Sequence, residues 1–226
     1  MLRAPGILAA LVVSSASAAG LDDITNRDAV SALKQALTNG AQAAVTKLGK
    51  ENGFLGDPRI RIPLPPSMKQ AEAMMHSIGA GKQADDLVLR MNRAAEAAVP
   101  QAKSLLVDAA KKMTVQDAKG ILTGSQDSAT HYFKRTTTEP LAKQFRPIVK
   151  KAMAKVKLAE AYNEIAASGA KFGLVKEEDA NLEDYITRRT LDGLFVVIAD
   201  EEKKIRENPK AAASSIVKKV FGALVK

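Results

Sequence analysis

Apolar residues recur along this chain at intervals of three and four, the spacing that gathers them on one face of an α-helix. The first such segment carries Val30, Leu33, Leu37, Ala41, Ala44, Val45 and Leu48. Thr25-Asn26-Arg27-Asp28 supplies its start signal, and Gly49 and Gly53 close it. A second segment starts near Ser67, carries Met68, Ala71, Met74, Met75 and Ile78, and stops at Gly79-Ala80-Gly81. A longer stripe runs through Ala84, Leu87, Val88, Met91, Ala95, Ala98, Ala102, Leu105, Leu106, Ala109 and Met113. Its phase persists through Pro100, which removes a backbone donor and crowds the preceding turn. A kink, or a break with stacked continuation, is expected there. Thr114-Val115-Gln116-Asp117 has the form of a capping signal for a short helix ending at Gly124.

Ala129, Tyr132 and Phe133 mark another helix. Thr138-Glu139-Pro140 begins a separate one, with proline in the first turn where it is tolerated. Its inner face is Leu141, Phe145, Ile148, Val149, Ala152 and Val156. Ala161, Tyr162 and Ile165 predict a helix ending near Gly169. Asn181-Leu182-Glu183-Asp184 caps a helix through Ile205, and Asn208-Pro209 opens a last one with Ile216, Val217, Val220, Phe221 and Leu224 inward. Two stretches depart from the helical pattern. Ile60-Arg61-Ile62-Pro63-Leu64-Pro65-Pro66 alternates and is locked by proline, so an extended strap is expected over about residues 58–66, with Ile60, Ile62 and Leu64 inward. Leu194-Phe195-Val196-Val197-Ile198-Ala199 suits a buried strand or a buried helix. Its capped start and the charged run from Asp200 to Arg206 favour the helix. Gly193 then sits inside that helix, a position that costs ~1 kcal/mol and points to a close-packed neighbouring helix. The six methionines after the first residue fall at helical spacing, which makes core filling their default role. The expected fold is all-α, a compact multi-helix domain with one extended proline-rich strap.

The first eighteen residues do not belong to that pattern. A short positive start at Met1-Leu2-Arg3 precedes the apolar run Ile7–Val13, and Ala16-Ser17-Ala18 forms an A-x-A site. This is the form of a bacterial secretory signal peptide cleaved after Ala18, leaving residues 19–226 as a single helical domain in the periplasm. No later run is apolar and long enough to span a bilayer, so a soluble exported protein is expected. The chain has no cysteine, which excludes disulfides, thiolate chemistry and a lipid anchor on cysteine. The net charge of +9 is uneven. Residues 134–157 hold eight basic residues and one acid, and residues 176–202 hold nine acids and three basic residues. For an exported protein this charge points to anionic lipid, lipopolysaccharide or acidic polymer as partner, and not to nucleic acid.

Several blocks together resemble one known family. They are the strap Ile60–Pro65; Met91-Asn92-Arg93-Ala94-Ala95-Glu96 followed by Pro100; Met113-Thr114 with Asp117-Ala118 and Ile121-Leu122; Tyr132-Phe133 followed by Thr136; and Phe145 with Pro147-Ile148-Val149. Leu191-Asp192-Gly193-Leu194-Phe195, with Glu201-Glu202, Ile205-Arg206 and Asn208-Pro209, completes the set. In order along the chain, they resemble the exported bacterial family catalogued as domain of unknown function 4197. The resemblance implies an all-helical, exported protein and carries no assigned activity. His131 departs from it, standing before Tyr132-Phe133 where an acidic residue is expected.

Few constellations carry chemistry. His76 and His131 are the only histidines, on separate segments and without a ligand-spaced partner, so no metal site, catalytic residue or cofactor is assigned. Gly81-Lys82 lacks the remaining residues of a phosphate loop, and no G-x-S-x-G is present. Glu96, Asp108, Asp192, Glu201 and Glu202 are the carboxylates from which an acid–base pair for glycoside cleavage would come; helix-surface ion pairs are the plainer reading. Arg61, Asn92, Arg93 and Glu96 form a candidate ligand pocket for a phosphate or carboxylate, or else a network that fixes the strap to its helix. Lys143, Arg146, Lys150 and Lys157 fall within about 60° of one another at ~100° per residue, opposite the apolar face of the same predicted helix. They form a candidate contact for an anionic surface, or a solvated basic face. The leading expectation is a non-enzymatic binding or envelope-accessory protein with an anionic partner. An envelope hydrolase using paired carboxylates and a purely structural protein-interaction module are the alternatives.

Overall fold

The computed structural model describes residues 26–208 apart from Phe172 and Leu174. The expected signal segment and the expected last helix beyond Asn208 lie outside the described residues. Eight α-helices follow one another among those residues: α1 (Asn26–Leu48), α2 (Lys69–Ser77), α3 (Gly81–Ala98), α4 (Ala102–Lys112), α5 (Val115–Thr123), α6 (Ser128–Met153), α7 (Lys157–Lys171) and α8 (Leu182–Glu207). No strand occurs among them, and Leu194–Ala199 lies inside α8. The fold is all-α, as the periodicity predicts.

The two longest helices, α6 and α8, pack along each other. α3 lies on α6, α1 lies against α4 and α8, and α5 rests on α1 and α6. The buried apolar side chains form one contiguous cluster from Ala32 on α1 to Ile198 on α8. Pro100 acts as expected: a 3-10 turn at Val99–Gln101 ends α3 and starts α4, and the stripe stays buried through Ala98, Val99, Ala102 and Leu106. Thr114 and Asp117 make a reciprocal capping box at the start of α5. Asn181 caps α8 by accepting the Asp184 amide at 3.0 Å.

Three expectations are corrected. The break expected at Thr138 is absent, and α6 runs through Pro140 and Pro147 as one helix. Thr136, Thr137 and Thr138 donate their hydroxyls to the carbonyls of Tyr132, Phe133 and Lys134 one turn back. Such back-bonding bends a helix and opens room ahead of a proline. Burial of Leu141, Phe145, Val149 and Met153 on one face then offsets the cost of about 3 kcal/mol for an internal proline. α6 ends at Met153, so Val156 falls past its end, Ala152 is exposed, and Lys157 opens α7.

The second correction concerns α2. None of its residues is buried, and Met74 and Ile78 are 67% and 70% exposed. Met68, Met91, Met113 and Met153 do fill the core. α2 is one side of a tight hairpin whose other side is α3, and of its apolar residues Met75 alone packs partly against the core. The third concerns Gly193. The neighbour that requires glycine is not a helix but Phe54, in the turns leading into the strap, with Ile60 of the strap beside it. A Cβ at Gly193 would stand 2.6 Å from Phe54 Cε1 and 3.2 Å from Ile60 Cβ.

Candidate functional site

The strap alternates as its sequence predicts: Ile60, Ile62 and Leu64 are buried, and Arg61 and Pro63 are exposed. An extended segment crossing a helical core brings backbone amides and carbonyls that no strand pairs, and each needs a partner. Side chains supply them. Asn92, fully buried on α3, accepts the Ile62 amide at 2.9 Å and donates to the Ile62 carbonyl at 2.9 Å. Its remaining amide hydrogen goes to the Val88 carbonyl. Glu96, one turn further along α3, accepts the Phe54 and Leu55 amides at 3.1 and 3.3 Å. Arg93 closes the group, reaching Glu96 at 2.5 Å, Glu51 at 3.0 Å and Asn52 at 2.9 Å. Tyr185 on α8 donates its hydroxyl to the Pro63 carbonyl.

The structure therefore brings Asn92, Arg93 and Glu96 together around the strap's own backbone. Arg61 lies exposed on the strap's outer side; its amide donates to the Asp57 carbonyl at 2.8 Å, and its guanidinium makes no hydrogen bond or ion pair among the described residues. Phe54, buried in the same arrangement, carries no periodic signal because it lies among turns between Gly49 and Ile60.

A second buried carboxylate, Glu202, has a similar task. It accepts the amides of Ala129 and Thr130 and the Thr130 hydroxyl, all at 2.9 to 3.0 Å. These are free amides of the first turn of α6, where a carboxylate complements the helix dipole. Arg206 pairs with Glu202 and donates to the Ile121 carbonyl. The other carboxylates considered for acid–base work lie elsewhere. Asp108 and Asp192 are exposed, and Glu201 pairs with Lys204.

On the outer edge, Arg59 bridges Asp57 at 2.8 Å and Asp200 at 2.9 Å. The Arg59 hydrogen bonds hold both carboxyls below the usual aspartate range. Asp117 is lowered too, first by the Thr114 hydroxyl that it accepts in the capping box. His131 sits 3.6 Å from Asp127 and His76 3.6 Å from Asp85, both exposed. No cluster of three or more potential metal ligands occurs among the described residues.

The basic residues divide. Arg146 is engaged by Asp184 at 2.9 Å. Lys143, Lys150, Lys151, Lys155 and Lys157 are exposed, and none pairs with a carboxylate among the described residues. They continue from the second half of α6 through the turn into α7. Where that turn faces the start of α3 it forms one wall of a groove of about 590 Å³. Lys155 and Lys157 line it from one side, and Lys82, Asp86 and Arg90 from the other. Asp86 is taken by Arg90 at 2.6 Å. The remaining three cations are exposed and pair with no carboxylate among the described residues.

Helices around one apolar core, with a strap pinned by buried polar side chains, define a helical-bundle protein. The chain belongs to the family described as protein of unknown function (DUF4197), whose model matches residues 23–222. No curated protein and no solved structure matches the chain.

Proposed function

We propose that this protein is an exported, non-enzymatic binding protein of the bacterial envelope that engages an anionic surface. The observation that carries this reading is the run of exposed lysines Lys143, Lys150, Lys151, Lys155 and Lys157, none of them paired with a carboxylate among the described residues. Cations free of internal partners keep their full attraction for an external anion, about 1 kcal/mol each near an anionic membrane. The carboxylates that a hydrolase would need support it from the other side. Glu96 and Glu202 are buried against backbone amides and arginines, so neither is free to act on a substrate as acid or base. Export rests on Met1–Ala18, with its charged start, apolar run and small-residue cleavage site.

Cosedimentation with phosphatidylglycerol-containing vesicles tests the binding. Capture is expected at low salt, with a steep loss as ionic strength rises and the Debye length shortens from ~30 Å at 0.01 M to ~8 Å at 0.15 M. Lys143→Gln/Lys150→Gln should weaken it. Absence of capture at low salt sinks the reading. Amino-terminal sequencing of protein recovered from the periplasm should begin at Ala19.

A further inference from the structure

Of the clefts on the molecule, the one between the start of α3 and the α6–α7 turn combines three features. It is concave, with a volume of about 590 Å³. It gathers Lys82, Lys155 and Lys157, none paired with a carboxylate among the described residues, with Arg90 behind them and a single acid, Asp86, already neutralised by Arg90. And it stands at the end of α3 to which the α2 hairpin, bearing the most exposed large apolar side chains of the described residues, is joined. Met74 and Ile78 lie on α2 and at its end, and Ile78 is four residues before Lys82 across the hairpin. The hairpin is held by the Ala80 amide donating to the Met75 carbonyl at 2.8 Å and by Gly79 at a φ of 79°. Its tip and the cationic groove are thus carried on one end of α3. In the α5–α6 cleft, by contrast, Asp117 is engaged by Thr114 and Arg135, and Tyr132 by the Ala109 carbonyl.

We propose that this end of α3 is a lipid-docking edge: the groove receives the phosphate of an anionic phospholipid headgroup, and Met74 and Ile78 enter the adjoining acyl layer. The inference rests on the reading of an anionic envelope partner and names its chemistry and place. A phosphate is an anion of the size that two or three converging ammonium groups can surround. An aqueous ligand alone leaves two large apolar side chains unexplained. A bilayer accounts for both, since cationic groups belong at headgroup level and apolar ones just beneath it.

The chain has no tryptophan, so Ile78→Trp gives a single reporter. On vesicles of phosphatidylcholine with phosphatidylglycerol its emission should shift to the blue and be quenched by brominated acyl chains. On phosphatidylcholine alone it should change little. Lys82→Gln/Lys157→Gln should lower vesicle affinity on the order of thirtyfold, at about 1 kcal/mol per lysine, with an unchanged circular dichroism spectrum. Two outcomes overturn the proposal while leaving an anionic partner in place. One is a Lys143→Gln/Lys150→Gln variant that loses vesicle binding while the groove variant keeps it. The other is vesicle capture of the Ile78→Trp protein with no change in tryptophan emission. Saturable binding of inorganic phosphate, lost in the groove variant and unaccompanied by vesicle capture, makes the groove a site for soluble phosphate and overturns the lipid assignment. Failure of the wild-type protein to bind either vesicle ends both readings.

Discussion

Asn92 does for the strap what a neighbouring β-strand would do, satisfying both the donor and the acceptor of Ile62. Asn92→Leu keeps the volume and leaves two buried backbone groups without partners. A loss of about 2–4 kcal/mol is expected, read from the urea midpoint. Glu202→Ala strands Arg206 and the first amides of α6 and should cost about 3–5 kcal/mol by the same measurement. The Arg59 bridge makes a prediction in pH. A carboxyl whose pKa is lower in the folded than in the unfolded chain stabilises the fold above the unfolded value. That contribution is lost as pH falls through the folded one. Stability should therefore decline as pH drops below about 4, and Arg59→Gln should flatten the share of the decline owed to Asp57 and Asp200. Asp117, held by Thr114, keeps its share in that variant. Urea midpoints between pH 5 and pH 2 read the difference. These partnerships are only half legible in the sequence. The i,i+3 spacing of Arg93 and Glu96 announces their contact, and Asn92 one position earlier marks a candidate polar partner. That their targets are backbone groups of residues 54, 55 and 62 depends on the path of the strap, which no local spacing encodes.

Among the elements, α8 shows most directly why one glycine is required. The strap crosses it at Gly193, where an added methyl would press on Phe54, itself fully buried. Gly193→Ala should destabilise by about 1–3 kcal/mol through overpacking, outweighing the ~1 kcal/mol that alanine gains in helix propensity. Gly120 in α5 is the control. Nothing lies within 4 Å of its would-be Cβ, so Gly120→Ala should stabilise by about 0.5–1 kcal/mol. Thermal midpoints of the two variants should move in opposite directions. Helix identity is legible from period and caps in α1, α3, α4, α5 and α8. Two elements depart from their sequence signals for physical reasons. Pro140 is a reliable start signal only when no preceding turn can absorb its ring, and the three threonines before it do so. The period of α2 says which face is apolar, but not whether a second layer of helices is there to cover it.

For the molecule as a whole, one apolar cluster joins α1 to α8, so unfolding of that cluster should be a single transition. Far-ultraviolet circular dichroism and tyrosine fluorescence should give coincident urea curves. α2 should stand apart in hydrogen exchange. With no buried residue, its amides should open locally, far below the global unfolding free energy, while those of α6 and α8 exchange last. The groove belongs to this scale as well. Lys82 and Arg90 are separated by more than sixty residues from Lys155 and Lys157, and only the seating of α7 beside α3 makes them one surface. Helical spacing shows the lysines of α6 as a face, but it holds no sign of their meeting with α3.

The strap also bears on how the molecule comes to be made. Its bonds to Asp200 and Tyr185 span 141 and 122 residues, among the longest reaches in the fold. A chain emerging from its amino terminus can dock this segment on α3, but the sides of Phe54 and Ile60 that meet Gly193 stay uncovered until α8 has been synthesised. Closing so large a loop is entropically slow, so seating the strap against α8 should be a late step in folding. A protein whose last clasp is held by its last described helix stays open to handling by chaperones for nearly the whole of its synthesis.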